Sequence, residues 1–166
     1  MRDDRRGRAA EAARTARRVC TSMLAALLVA ACGTSPPKPA RVSGTIVAAP
    51  NLNPSVSDRP SPLRMRVYEL KSATAFNQAD FMSLYQSDQG ALGADLAARE
   101  EFILQPGESR PWVKTLNPDT RFIGIVALYR DLERAVWRTV VPVQPGREYK
   151  MTIRADALVL SAAAQP

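Results

Sequence analysis

The sequence predicts an all-β fold for residues 41–161: an antiparallel sandwich of two sheets, with a small helical insertion after the second strand. Apolar and polar residues alternate with a period of two in several short segments, most strictly over residues 149–154, and this period is typical of a half-buried strand. Turn sequences recur every 12–14 residues after position 104. Short strands separated by regular turns favour an antiparallel sandwich over a parallel α/β sheet.

The first two strands are predicted at residues 42–49 and at Leu63–Leu70, because both segments alternate with the period of a strand. The residues between them, Pro50–Pro62, include four prolines, two asparagines and three serines, which indicates a loop. This loop is too long for a hairpin connection, and long ordered loops are usually functional.

The helical insertion is predicted between positions 72 and 93, where the strand pattern stops. Asp80 is suited to cap a short helix, because its carboxylate accepts hydrogen bonds from the free N–H groups of the first turn. Phe81, Leu84 and Tyr85 follow at a spacing of three to four residues, which places them on one apolar face.

The remaining strands are predicted at residues 96–104, 110–116, 121–129, 135–143 and 149–154, with a last short strand at 158–160. The segment 121–129 is apolar on both of its faces, so we expect it to be central in its sheet. No internal repeat or second domain is apparent.

Residues 1–31 are predicted to be a signal peptide that is removed. Seven arginines precede an apolar run of 13 residues, which is short of the roughly 20 that a membrane-spanning helix needs. The run ends in Leu28-Val29-Ala30-Ala31-Cys32, which resembles the lipobox of bacterial lipoproteins. The resemblance implies cleavage before Cys32, lipidation of its thiol with palmitate-type chains, and a Pro-rich tether over residues 32–40. The alternative is an ordinary secretory signal with an accidental Cys.

The charge of the chain is concentrated in this leader. Seven of the 23 basic and three of the 16 acidic residues lie in it, so the remainder carries 16 basic and 13 acidic side chains, a net charge of +3. A nucleic-acid-binding domain needs a basic stripe on the folded part. We therefore expect no nucleic-acid partner.

The composition argues against catalysis. The chain has no His, which removes Ser-His-Asp chemistry and most zinc sites. No carboxylate pair has a spacing that demands catalysis, so we expect no enzyme activity, metal, cofactor or small-molecule substrate. Trp112 and Trp137 are interpreted as packing residues, with a sugar-stacking platform as the alternative. Arg64 and Arg66 are expected to form a solvated strand face, with a charged binding surface as the alternative.

Several segments together resemble the TssJ family, the outer-membrane lipoproteins of the type VI secretion system. Besides the lipobox and the tether, they are the run from Arg59-Pro60-Ser61-Pro62 to Leu70, residues 76–85, 104–108 and 122–132, Trp137-Arg138, and the turn at 145–147. The resemblance implies a transthyretin-like sandwich on the periplasmic face of the outer membrane. It also implies a partner, the periplasmic C-terminal domain of the large TssM-like inner-membrane subunit.

In this family the loop between the first two strands contacts that partner. Leu52 and Val56 are candidate apolar anchors in an otherwise polar loop, unless they fold back onto the sandwich. The residues that we predict to bind the partner are Asn51, Leu52, Asn53, Ser55, Val56, Ser57, Asp58 and Arg59. A lipid-anchored periplasmic module that binds a ligand or glycan remains the alternative function.

Overall fold

The computed structural model describes residues 38–166, and Cys32 and the predicted signal peptide lie outside them. The described residues form the strands β1 (Arg41–Ala48), β2 (Leu63–Leu70), β3 (Leu96–Leu104), β4 (Ser109–Thr115), β5 (Phe122–Ala127), β6 (Arg138–Pro142), β7 (Glu148–Ala155) and β8 (Leu160–Gln165). Between β2 and β3 lie helix α1 (Thr74–Gln78), helix α2 (Phe81–Leu92) and a 3-10 turn (Gly93–Asp95).

The strands form two four-stranded sheets. Sheet I has the order β4-β1-β7-β8, and sheet II has the order β3-β2-β5-β6. The predicted two-sheet sandwich and the helical insertion after the second strand are therefore confirmed. One strand pair departs from the antiparallel prediction, because β1 and β7 are parallel. Parallel neighbours need a long crossover connection, and here the whole of sheet II lies between them in the sequence.

The alternating segments bury the faces that the sequence predicts. Along β7, Tyr149, Met151, Ile153 and Ala155 are buried, while the residues between them are exposed. All of Ile123–Ala127 in β5 is buried, and β5 lies between β2 and β6, as its two apolar faces predict. Because side chains alternate across a strand, these patterns fix which residues face the core.

Some predicted strand boundaries were wrong near the C-terminus. Strand β5 ends at Ala127, two residues before its predicted end. Strand β6 starts three residues later than predicted, because residues 135–137 belong to the β5–β6 connection, which pairs through an isolated parallel bridge between Val136 and Val159. The last strand, β8, starts at Leu160, where the predicted one ends. Its Ala-rich sequence has little strand propensity, and its ladder with β7 holds it in place.

Apolar side chains form two clusters. The larger one fills the space between the sheets and includes Leu52, Met65, Ile125, Met151 and Ile153. The smaller one lies between the outer face of sheet II and the helical insertion, and its buried members are Tyr68, Leu70, Phe76, Leu84, Leu92 and Val126. The insertion therefore covers a sheet face that would otherwise expose apolar surface.

The position of the insertion shows that the expectation of a solvated face at Arg64 and Arg66 holds for only one of the two residues. Arg64 is exposed as predicted, but Arg66 is only 9% exposed, because helix α2 packs over this face of β2. The Arg66 guanidinium donates to the backbone carbonyls of Leu84 (3.0 Å) and Tyr85 (3.1 Å) and to the carboxylate of Glu101 (2.7 Å). A buried charge is tolerated when it is paired and hydrogen-bonded in this way.

Candidate docking surface

The base of the β1–β2 loop, Pro50–Pro62, is fixed to the sandwich by two buried residues. Leu52 is 0% exposed, and its carbonyl accepts from the Ser61 N–H at 2.9 Å. Asn53 has a left-handed φ of 45°, which Asn tolerates better than most residues. Its side-chain amide donates to the carbonyl of Pro62 and its Oδ1 accepts from the Arg130 N–H, both at 2.9 Å.

The tip of the loop is held by its own hydrogen bonds. The Ser55 N–H donates to the Arg59 carbonyl at 2.8 Å, and the Asp58 N–H donates to the Ser55 carbonyl at 2.9 Å. The Ser55 hydroxyl also accepts from the Arg59 N–H at 3.2 Å. These bonds present Val56 at the apex with a relative exposure of 109%.

The structure divides the predicted contact residues into two groups. For Leu52 the structure shows the alternative of folding back: its side chain lies in the inter-sheet core, and Asn53 is likewise buried at the base of the loop. Both residues position the loop. The other predicted residues are accessible: Ser55 is half-buried, and Asn51, Val56, Ser57, Asp58 and Arg59 are exposed.

One side of the loop tip borders an open groove of about 770 Å³. The opposite wall is the β5–β6 connection, residues 128–137. The groove is lined by Pro54, Ser55, Val56, Asp58, Arg130, Asp131, Leu132, Glu133, Arg134 and Leu158. Hydrogen bonds from Arg134 hold the pKa of Asp131 below its usual value, so these two charges compensate each other.

A second depression, which we call the cleft, lies beside the base of the same loop. It has a volume of about 390 Å³ and is lined by Asn53, Pro62, Arg64, Phe81, Tyr85, Leu128, Tyr129 and Arg130. It joins the loop, the first turns of α2 and the chain that leaves β5. The sequence alone does not predict this cleft, because its lining residues come from four separated segments that no period or motif connects.

The two tryptophans are packing residues, as predicted. Trp112 is 6% exposed, and its indole N–H donates to Glu100 at 3.0 Å. Trp137 is half-buried and meets Phe81 edge-on, with ring centroids 5.3 Å apart. The geometry gives no exposed aromatic platform at either ring for a sugar.

The buried carboxylates are occupied by structural contacts. Glu69 accepts from the backbone N–H of Asn117 (2.6 Å) and the hydroxyl of Thr120 (2.9 Å), and it lies 2.8 Å from Lys114. Burial raises the pKa of Glu100, but hydrogen bonds from Lys114 and Trp112 outweigh it and hold the pKa below its usual value. Within residues 38–166, no group of three His, Cys, Asp or Glu side chains has the arrangement of a metal site. None of the helices in this part of the chain is long and apolar enough to cross a membrane.

Comparisons with known proteins agree with this fold. The family model of the type VI secretion lipoproteins (VasD, EvfM, TssJ) matches residues 40–158. A solved structure of the T6SS lipoprotein TssJ1 from Pseudomonas aeruginosa is 46% identical, with a TM-score of 0.75 over 77% of this chain and 98% of that chain. No curated protein sequence gives a significant match.

Two further structures are more distant. Serratia marcescens Lip, a membrane-bound component of the type VI secretion system, is 27% identical, with a TM-score of 0.68 over 74% of this chain and 96% of that one. A chain of a type VI membrane complex is 26% identical, with a TM-score of 0.64 over 74% and 97%. The molecule is thus a sandwich of the type found in secretion-system lipoproteins. The chain belongs to the TssJ family of type VI secretion lipoproteins.

Proposed function

We propose that this chain anchors the membrane complex of a type VI secretion system to the outer membrane. In this proposal the β1–β2 loop binds the periplasmic C-terminal domain of the TssM-like inner-membrane subunit. Acyl chains on Cys32 hold the domain to the periplasmic face of the outer membrane. The role is structural, with no catalytic step.

The shape of the β1–β2 loop carries the proposal. The loop places a fully exposed apolar side chain, Val56, at the apex of a tip that is already ordered by internal hydrogen bonds. Covering this valine with a partner would remove apolar surface from water, which is favourable. Because the prolines and the bonds of Ser55 limit the freedom of the loop, docking would order little additional chain, which favours binding.

The comparisons support the setting. A similar chain is part of a solved type VI membrane complex. The structure described as the T6SS protein TssM C-terminal domain from EAEC contains a chain that shares this fold at 24% identity, with a TM-score of 0.61. The identity of the partner as a TssM-like subunit is what the family resemblance implies.

The test is the affinity of the domain, residues 38–166, for the periplasmic domain of the TssM-like subunit. We expect Val56→Ser to weaken binding by roughly 10-fold, because burying a valine side chain at an interface contributes about 1.5 kcal/mol or more and about 1.4 kcal/mol is a factor of ten in affinity. Isothermal titration calorimetry gives the dissociation constant. Since Val56 makes no buried contact, its replacement should leave the melting temperature unchanged.

The matched control is Val113→Ser. Val113 is also an exposed valine, with 71% exposure, but it lies on β4, away from the loop. Equal affinities of both variants and the wild type would move the interface away from the loop tip. Absence of binding by the wild-type domain would overturn the docking function itself.

A further inference from the structure

We propose that the cleft beside the loop base is a second contact site, which takes a carboxylate-bearing segment of the partner protein between Arg64 and Arg130. This inference rests on the proposed docking function, and it adds the chemistry that the partner must present. The partner segment would carry an Asp or Glu next to an apolar side chain.

The first observation is an excess of positive charge around Arg64, which lines the cleft. Within residues 38–166, Arg64, Arg66 and Arg99 share two carboxylates, Asp88 and Glu101. Glu101 lies 2.7 Å from the Arg66 Nε but 3.6 Å from the Arg64 Nε. The Arg64 side chain is 47% exposed. Arg99 is equally exposed, but its guanidinium lies 2.7 Å from Asp88, so Arg64 is the member of this cluster with the weakest internal partner.

The second observation is the position of Arg130. Its backbone N–H is fixed by Asn53, so the residue is tied to the loop base. Its side chain is exposed, and within residues 38–166 it makes no ion pair within 4.0 Å. Arg130 lines both the groove and the cleft. It is thus a cation placed on the rim between the two depressions, next to the loop that we propose as the docking element.

The third observation is the aromatic wall of the cleft. The rings of Phe81 and Tyr85 stack nearly parallel, with an interplanar angle of 9° and centroids 6.0 Å apart. Arg66 lies over the Tyr85 ring at 5.9 Å, yet Tyr85 remains 43% exposed. Arginine pairs strongly with carboxylates, and aromatic side chains are enriched at interfaces. Together these groups fit an acidic residue flanked by an apolar one.

A protein partner explains the cleft better than a lipid headgroup does. Asn53 belongs both to the cleft and to the base of the β1–β2 loop, so a protein seated on the loop tip reaches the cleft without a second docking event. Recognition of an anionic membrane surface takes a cluster of about four to eight basic residues. The cleft contributes only Arg64 and Arg130.

The experiment compares the double variant Arg64→Ala/Arg130→Ala with Arg41→Ala/Arg147→Ala. The control removes the same charge from two exposed arginines at the opposite end of β1, beside the β6–β7 turn. Binding to the TssM-like periplasmic domain is measured at low and high salt. We expect the cleft variant to bind roughly 10-fold more weakly and with a shallower salt dependence, since charge pairs at an interface are screened by salt. The control should bind like the wild type.

Each outcome separates the two proposals. If the wild type binds and both double variants bind equally well, the cleft site is overturned while the docking function stands. If the wild type does not bind, both fail. Flotation with phosphatidylglycerol vesicles is the remaining arm: loss of vesicle binding in the cleft variant alone, with unchanged protein binding, would assign the two arginines to lipid and overturn the inference.

Discussion

Asp88 shows how single residues hold the helical insertion on sheet II. Its side chain is 8% exposed, and its Oδ2 accepts from Arg99 (2.7 Å), Tyr68 (3.2 Å) and Arg66 (3.4 Å). Its Oδ1 accepts from the N–H of Gln89, just after the kink of α2 at Ser87. One carboxylate thus joins the helix to β2 and β3. Burial, together with the nearby Asp88 charge, raises the pKa of Tyr68 to about 12, so its hydroxyl stays a donor.

The ion pairs of Asp88 make stability depend on pH. Burial alone would raise the pKa of Asp88, but Arg99 and Arg66 outweigh it, and the pKa lies below its usual value. The ionised group therefore stabilises the fold above the unfolded pKa of about 3.9, and this stabilisation is lost as the pH falls through the lower folded value. We expect Asp88→Asn to reduce the free energy of unfolding at pH 7 by about 1–3 kcal/mol. The variant should also flatten the loss of stability as the pH falls below about 4.

Urea denaturation at a series of pH values measures both effects. Asp119→Asn serves as the control, because Asp119 is exposed in the turn between β4 and β5. Parallel pH profiles of wild type and Asp88→Asn would contradict the assigned role of this carboxylate.

Two glycines show how closely the strands approach their neighbours. A Cβ built on Gly44 of β1 would lie 1.8 Å from the backbone carbonyl oxygen of Met151 on β7. A Cβ on Gly124 of β5 would lie 2.9 Å from side-chain atoms of Leu70 and Phe76. Backbone within a ladder cannot move without breaking the sheet, whereas side-chain ends can shift. The parallel β1–β7 pair therefore depends on Gly44.

We expect Gly44→Ala to be much more harmful than Gly124→Ala. Overpacking costs about 1–3 kcal/mol where neighbours can relax, so Gly124→Ala should fall in that range. Gly44→Ala should cost about 3 kcal/mol or more, or prevent soluble expression. Urea midpoints and soluble yield give the comparison. Equal stability of the two variants would mean that the β1–β7 pair is looser than its geometry indicates.

At the scale of strands and helices, the sequence predicts those features that depend on residues close together in the chain. The alternation of β7, the two apolar faces of β5 and the Asp80 cap, whose carboxylate accepts from the Ser83 N–H at 2.8 Å, are all local patterns that the structure confirms. Strand β8 has no such pattern and forms because β7 offers it a ladder. The parallel pairing of β1 with β7 is likewise set by tertiary packing and not by a local sequence pattern.

The docking surface likewise has features that the sequence predicts and features that only the fold determines. Loop composition predicts the position of the β1–β2 loop, but burial of Leu52 and Arg66 depends on what packs above each residue. Arg130 reads as an ordinary turn residue in the sequence. Only the fold brings it beside Arg64 and Tyr85.

Across the whole sandwich, the two sheets are joined on both sides. On one side Lys114 of β4 lies 2.8 Å from Glu69 and 2.6 Å from Glu100, which belong to sheet II. On the other side the Val136–Val159 bridge connects the β5–β6 connection with the segment before β8. Both walls of the groove are therefore attached to one framework, so that the loop tip and Arg130 can contact a partner together.

Anchoring is the property that needs the whole molecule, and Cys32 is its proposed origin. A single acyl chain holds a protein only marginally, whereas several chains hold it stably. Ala40 is buried and its carbonyl accepts from the Leu116 N–H, so at most the seven residues 33–39 are free to act as a tether. Extended, they would reach roughly 22 Å, which would keep the domain near the membrane. We expect Cys32→Ser to abolish labelling by an alkyne-palmitate analogue, to shift the protein out of the membrane fraction, and to stop secretion. The domain should still bind the TssM-like periplasmic domain in solution.

Cys20→Ser is the matched control, since Cys20 lies in the predicted signal peptide and should not affect anchoring. A Cys32→Ser protein that stays labelled and membrane-bound would place the anchor elsewhere, while a released protein that still supports secretion would show that the machine does not depend on this attachment.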